Sequence, residues 1–407
     1  MLNPAFAPRQ LHAVTMPHFH REAKKAAERL RSKPEGAVVD VLDEMTKVTL
    51  DVICAAAFGY ELNAGAGKHP ELVTAFTVLL SQGANHIRVL PGMSYVLKWF
   101  CRKEIAAIDS VIDEAIQARL KEQESSSSAG GGGGGSGGAA RKRDLLDLLL
   151  EAKDDDRSAG ADGSAAKGGL THSEIRDEIL VFFLAGHETT ALSLTWLAYE
   201  LAHNQQAMAT LLEEIDAIRG TCNEAANAAP PAASTTATIA PPTEPLSPAQ
   251  VQGMKYTGQA LKEVLRLYPP LAMTVRCVPK HEPLTIKGCK LPAGSQIFLP
   301  IRSKQLDPGV YGEDATVFKP ERWAKESARP PTANFMPFTL GPRTCIGKDF
   351  FYFEAKALLA EIFGAVTFEL PEEERNLPRI KGTSKTATFH PQRPVLLKVG
   401  HRRKSAS

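Results

Sequence analysis

The sequence contains no C-x-x-C pair, and its six cysteines, at positions 54, 101, 222, 277, 289 and 345, follow no disulfide-framework spacing. That pattern points to a reducing compartment, no disulfide-linked partner and no structural zinc. No charge of one sign dominates. Lys and Arg number 48 against 46 Asp and Glu, a net charge of +2, so there is no electrostatic ground for expecting nucleic acid or an acidic substrate. No run of about 18 or more apolar residues occurs, so no segment is expected to span a membrane. The greasiest segment, Ile179 to Leu201, carries His187, Glu188 and Glu200 and reads as a buried helix. No signal peptide is expected at this start, since Pro4, Pro8 and Arg9 interrupt any apolar core. There is no internal repeat and no Rossmann glycine fingerprint, which excludes a nicotinamide or flavin domain of that type. The basic end His401 to Lys404 reads as a solvated tail.

What is present suffices for a core: 43% of the 407 residues are hydrophobic. Three stretches are too small or too polar in composition to build core: 125–140, 154–169 and 225–248. They read as loop insertions within one domain covering 1–407, because the motifs they separate belong to one site. Long surface loops add little closure entropy per residue.

Between these loops the apolar spacing is helical. Gln10 to Leu30 reads as a helix restarted at Pro17, and Val38 to Phe58 and Lys103 to Glu122 read as two more. Thr171 and Glu174 form a capping box that opens a helix to about His203. Gln205 to Arg219 is expected to stop at Gly220, and Met254 to Tyr268 at Pro269. The segments from Leu284 to Gly288 and Gln296 to Leu299 read as strands, with Pro292 to Gly294 as a turn, and Ala387 to Val399 as further strand pieces. The fold class is mainly α with a small β portion.

Three motifs carry chemistry. In Phe338-Thr-Leu-Gly341-Pro-Arg343-Thr-Cys345-Ile-Gly347, one cysteine lies between two glycines, just before a helical run from Phe351 to Phe363. A thiolate is a good iron ligand if it stays charged and reachable. Glycines permit a tight turn close to a flat cofactor, the helix start favours the thiolate, and Arg343 is suited to a carboxylate. In Ala185-Gly186-His187-Glu188-Thr189-Thr190, an acid stands next to an alcohol inside a helix. A mid-helix glycine costs about 1 kcal/mol against alanine. The Thr189 hydroxyl can turn onto the carbonyl four residues back and loosen the turn. The pair reads as a relay for protons and water, and His187 as a spacer. In Glu263-Val-Leu-Arg266 the two charges share a helical face.

Together these motifs resemble those of the cytochrome P450 family, of the eukaryotic microsomal kind, in the expected order and over most of the chain. The resemblance implies a haem-thiolate monooxygenase with haem b, in which Cys345 ligates the iron and Phe338, Gly341, Arg343 and Gly347 surround the cofactor. Arg276 matches a haem-propionate contact. Glu188 and Thr189 would deliver protons to bound oxygen, and Arg322, in Lys319-Pro-Glu-Arg322-Trp, would join Glu263 and Arg266 in a buried network. The implied reaction inserts one oxygen atom from O2 into an apolar organic substrate. Electrons would come from NADPH through cytochrome P450 reductase or another donor. The endoplasmic reticulum membrane is the implied location of a full-length parent, with a plastid as the other candidate. A haem-thiolate isomerase or dehydratase, and a non-catalytic product that binds haem poorly, are the alternatives.

One departure from the pattern is large. The opening Leu2-Asn-Pro-Ala-Phe6-Ala-Pro-Arg9 resembles the family segment just after its third major helix. The expectation is therefore a P450 fold lacking its N-terminal strands and first helices, including the Trp-x-x-x-Arg haem contact, and a chain that is not a competent enzyme as written. Met1 would be an internal methionine, and the glycine and alanine tracts suggest a green alga.

Overall fold

The computed structural model describes residues 6–7, 10–76, 78, 101–129, 143–152, 170–226, 245–325, 332–384 and 388–402. Most of the three insertions therefore lies outside the described residues. The rest is mainly helical with small sheets, as composition and spacing predict.

The chain enters through a π-helical turn, Leu11–Thr15, that passes into helix α1, Met16–Ser32. Pro17 sits in the first turn of α1, where its missing N–H costs nothing. Strand β1, Val38–Asp40, follows, and then helix α2, Val41–Phe58. Here the single helix expected from Val38 is corrected. The first three residues pair antiparallel with Leu396 to Lys398, and Asp40 caps α2 by accepting from the N–H of Leu42 at 3.0 Å. Such a cap contributes about 1 kcal/mol.

Helix α3, Arg102–Ala129, runs into the serine-rich stretch that composition assigns to a loop. Helix α4 is Leu145–Glu151, and α5 is His172–His203 with the Thr171–Glu174 capping box in place. By length and composition α5 could cross a membrane, but most of its apolar window is buried inside the protein. Helix α6, Gln205–Ala226, continues past Gly220. That glycine has no positive φ and so cannot act as the left-handed cap that stops a helix. Helix α7, Lys255–Leu267, ends before the two prolines.

The β portion is small. Strand β2, Thr274–Cys277, pairs antiparallel with β5, Gln296–Leu299, and β3, Leu284–Ile286, with β4, Cys289–Leu291. Gly294 turns the chain at φ 80°. Helix α8, Lys348–Ala365, leads into β6, Val366–Glu369. Strand β7, Gly382–Thr383, pairs with β8, His390–Pro391, and β9, Leu396–His401, lies between β1 and β6.

Helices α2 and α5 make the most extensive helix contact, followed by α8 with α1. Both central helices bury apolar side chains almost all round: Leu50, Val52 and Phe58 on α2, and Leu192, Leu194 and Trp196 on α5, have at most 1% of their surface exposed. The close approach of α2 explains Gly186, since a Cβ there would stand 2.8 Å from Ile53 Cδ1. Packing therefore supplies a reason for the mid-helix glycine beyond any loosening of the turn.

Candidate functional site

The loop before α8 is closed by its own backbone. The Cys345 N–H donates to the Phe338 carbonyl at 2.9 Å, and the Thr339 hydroxyl to the Arg343 carbonyl at 2.8 Å. Thr339 and Gly341 both adopt the left-handed conformation, at φ 59° and 78°. Glycine is favoured at 341 for that reason, while Thr339 carries strain that its surroundings must hold. Gly347 has an ordinary φ of −81°. The Phe338 ring packs on Phe351 and Tyr352 with centroids 5.5 and 5.7 Å away, which fixes the loop to the first turn of α8.

Cys345 is an exposed residue, but enough protein surrounds its sulfur that burial pushes the thiol pKa up, against the pull of a hydrogen bond from the Gly347 N–H. Burial thus opposes the favourable influence of the helix start on the thiolate. Leu340 and Ile346, on either side, leave 41% of their surface open.

On α5 the residues around the acid and alcohol split by face. Ile179, Phe183, His187 and Thr190 are buried, whereas Val181 and Ala185 are exposed and Thr189 is half-buried. Residues 181, 185 and 189 share one helical face, so this strip opens away from the core. The Thr189 hydroxyl donates to the Ala185 carbonyl at 2.8 Å, the back-bond that the sequence suggests. His187 is 2% exposed, contacts the Phe183 carbonyl through Nδ1 at 2.6 Å and lies against Phe76. Burial lowers its pKa, which makes it a neutral packing residue.

Two connections were not legible in the motifs. Thr190 Oγ1 donates to Glu354 Oε2 at 3.1 Å, tying the turn with Glu188 and Thr189 to the helix that begins just after Cys345. Glu354 is fully buried, its Oε1 has no partner, and burial holds its carboxyl well above the usual range. Glu354 lies among Phe350, Phe351, Ala355 and Leu358, and that apolar helical spacing was the available signal. The second connection joins Glu188, only 8% exposed, to Thr388 and His390, whose positions carry no local signal.

A testable consequence follows for Glu354. Its folded pKa lies above its unfolded one, so the native state holds a proton that the unfolded chain has lost, and stability falls as pH rises above the unfolded value. Glu354→Gln removes that loss. Denaturant unfolding is expected to show little difference between variant and parent near pH 4 and a growing advantage for the variant toward pH 8.

Glu263 and Arg266, both fully buried, pair in two-pronged geometry at 2.9 and 2.8 Å. Arg322 Nε reaches Glu263 Oε1 at 3.4 Å, and Trp323 Nε1 and the Lys319 N–H donate to the same carboxylate. The arginines then anchor the chain ahead of the cysteine loop. Arg266 donates to the carbonyls of Gln305, Ala315 and Val317, and Arg322 to that of Tyr311. Tyr311 and Gln305 hold Asn334 and Met336, just upstream of Phe338. Arg276 donates to Thr274 and to the Val275 carbonyl, and among the described residues neither it nor Arg343 has a carboxylate partner.

The sequence model of the cytochrome P450 family matches residues 1–398. The chain belongs to the cytochrome P450 family. Among curated proteins it is 29% identical over 95% of its length to a cytokinin hydroxylase of Arabidopsis thaliana, covering 66% of that protein. It is 30% identical over 96% of its length to echinocystic acid 23-monooxygenase of Saponaria officinalis, covering 69% of it. A cytochrome P450 monooxygenase of Ampulloclitocybe clavipes is 28% identical over 93% of the chain. The chain spans about two thirds of the length of these relatives, 66% to 69%.

The family's cofactor is haem held by a cysteine thiolate. The residues present fit such a group. An exposed cysteine, an open apolar strip on α5, exposed Leu340 and Ile346, and two arginines without carboxylate partners suit a flat apolar ring with two carboxylate tails.

Proposed function

We propose that this chain carries the catalytic core of a haem-thiolate monooxygenase, folded as one P450-like domain with surface insertions at 125–140, 154–169 and 225–248. The observation that carries the reading is the Thr190–Glu354 bond, which ties the acid–alcohol turn of α5 to the helix of the open cysteine loop. Cys345 would ligate the iron of haem b, and that thiolate supplies the electron density for cleaving the O–O bond. Phe338, Gly341 and Gly347 would shape the loop under the ring. Arg343 and Arg276 would pair with its propionates, each a charge-assisted contact. Glu188 would hold a proton beside the oxygen site, and the Thr189 hydroxyl would exchange its bond to the Ala185 carbonyl for one to water, completing the relay. The apolar strip of Val181 and Ala185 would take the apolar substrate and exclude bulk water. Electrons from NADPH would arrive through a cytochrome P450 reductase or another electron donor.

Thr189→Ala tests this reading without needing the natural substrate. With NADPH and a cytochrome P450 reductase but no organic substrate, full reduction of O2 to water consumes two NADPH per O2, and release as hydrogen peroxide consumes one. The variant is expected to keep its haem and shift the ratio from near two toward one. An unchanged ratio would reduce Thr189 to a packing residue.

A further inference from the structure

Glu188 is only 8% exposed, so little of its carboxylate meets bulk water. Its hydrogen-bond partners come from far along the chain. The Thr388 hydroxyl donates to Glu188 Oε1 at 3.0 Å, and His390 Nε2 lies 2.9 Å from the same oxygen. Thr388 Oγ1 and His390 Nε2 are themselves 2.9 Å apart, so these two groups and one carboxylate oxygen close a triangle. A bond from His390 to Glu188 puts the imidazole proton on Nε2. Nδ1 then presents its lone pair. Among the described residues it has no hydrogen-bond partner, and it is not a buried atom, so water reaches it. The exposure falls along the path, from 26% of the His390 side chain to 10% of that of Glu188.

We propose that His390 is the port through which solvent protons enter the Glu188–Thr189 relay. In the step, a hydronium ion of the solvent gives a proton to Nδ1 and is left as water, the Nε2–H bond breaks and a new O–H bond forms at Glu188 Oε1. Imidazole ends neutral with its proton on Nδ1, and one solvent proton has moved to the carboxyl. After Glu188 passes its proton on, exchange with water returns the Nε2–H form. Thr388 holds the carboxylate oxygen and Nε2 in register. His390 acts through Glu188 and is a positioning and relay residue, not one that touches the reacting atoms. The triangle stands independently, while the task of the relay rests on the monooxygenase reading above.

The test uses the haem-loaded full chain and two variants. His390→Gln keeps an N–H donor for Glu188 but cannot pass a proton through itself, and His390→Leu removes both functions. The first readout is denaturant unfolding in a double-mutant cycle of His390→Leu with Glu188→Gln. Non-additive effects are expected, and strict additivity would overturn the contact. The second is NADPH consumed per O2 without organic substrate. Both His390 variants are expected to keep the thiolate spectrum, release about tenfold more peroxide relative to water and show a larger solvent deuterium effect on water formation. A His390→Gln protein with parental stoichiometry and isotope effect would overturn the port, leaving His390 as a hydrogen-bond donor only. If the parent protein shows no thiolate spectrum, the monooxygenase reading fails and the port falls with it. The unfolding cycle would still report the pair, so the two failures are distinguishable.

Discussion

Glu263→Ala is expected to yield little folded, haem-bound protein. The glutamate is fully buried and receives Arg266 in two-pronged geometry, Arg322, Trp323 Nε1 and the Lys319 N–H. Removing it leaves the Arg266 guanidinium, also fully buried, without its counter-charge. Breaking a buried pair in this way costs about 3–5 kcal/mol, a large share of the roughly 5–15 kcal/mol by which domains are stable. The effect extends beyond the pair, because Arg266 and Arg322 hold the carbonyls of Gln305, Ala315, Val317 and Tyr311. Through Gln305 and Tyr311 they hold the approach to Phe338. Soluble yield, haem content and unfolding midpoint are the measurements. A soluble, fully haem-loaded Glu263→Ala protein would show that the pair behaves as a surface salt bridge worth under about 1 kcal/mol.

Cys345→Ser is expected to act in the opposite way, leaving the fold and removing the chemistry. Cys345 is an exposed residue, and its loop is held by backbone bonds and by Phe338 against α8. Stability of the haem-free variant is expected within about 0.5 kcal/mol of the parent. Reductase-driven oxygen consumption is expected to vanish, because a serine hydroxyl does not supply a thiolate at neutral pH. A variant that retains parental oxygen consumption would exclude Cys345 as the ligand.

The parts of the fold that could be read from sequence are those set by local spacing. The Thr171–Glu174 capping box, the run to His203 and the stop of α7 before Pro269 need only neighbouring residues to be recognised. Pairings across the chain leave no such trace. Val38–Asp40 continues the apolar spacing of a helix and becomes a strand only because β9, more than 350 residues away, offers its edge. Gly220 looks like a stop, but a glycine ends a helix only where the backbone takes the left-handed turn. The glycine in Ala185-Gly186-His187 reads as a weak point until Ile53 is seen against it.

The site follows the same division. Cys345, Glu188, Thr189, Glu263 and Arg266 stand in short motifs. The partners that position them do not. Glu354 lies 164 residues from Thr190, and Thr388 and His390 lie 200 and 202 residues from Glu188, and no periodicity connects them. The burial that raises the Cys345 thiol pKa is likewise a property of the assembled fold, invisible in a motif that suggests only the helix start.

The most direct test of the account is the absorption spectrum of the purified, haem-reconstituted chain, reduced and saturated with carbon monoxide. Thiolate ligation by Cys345 predicts the strongly red-shifted Soret band that only a thiolate ligand gives, and predicts its loss in Cys345→Ser. A band at the unshifted position of neutral-ligand haem proteins in the parent chain, or a red-shifted band that survives in Cys345→Ser, would contradict it.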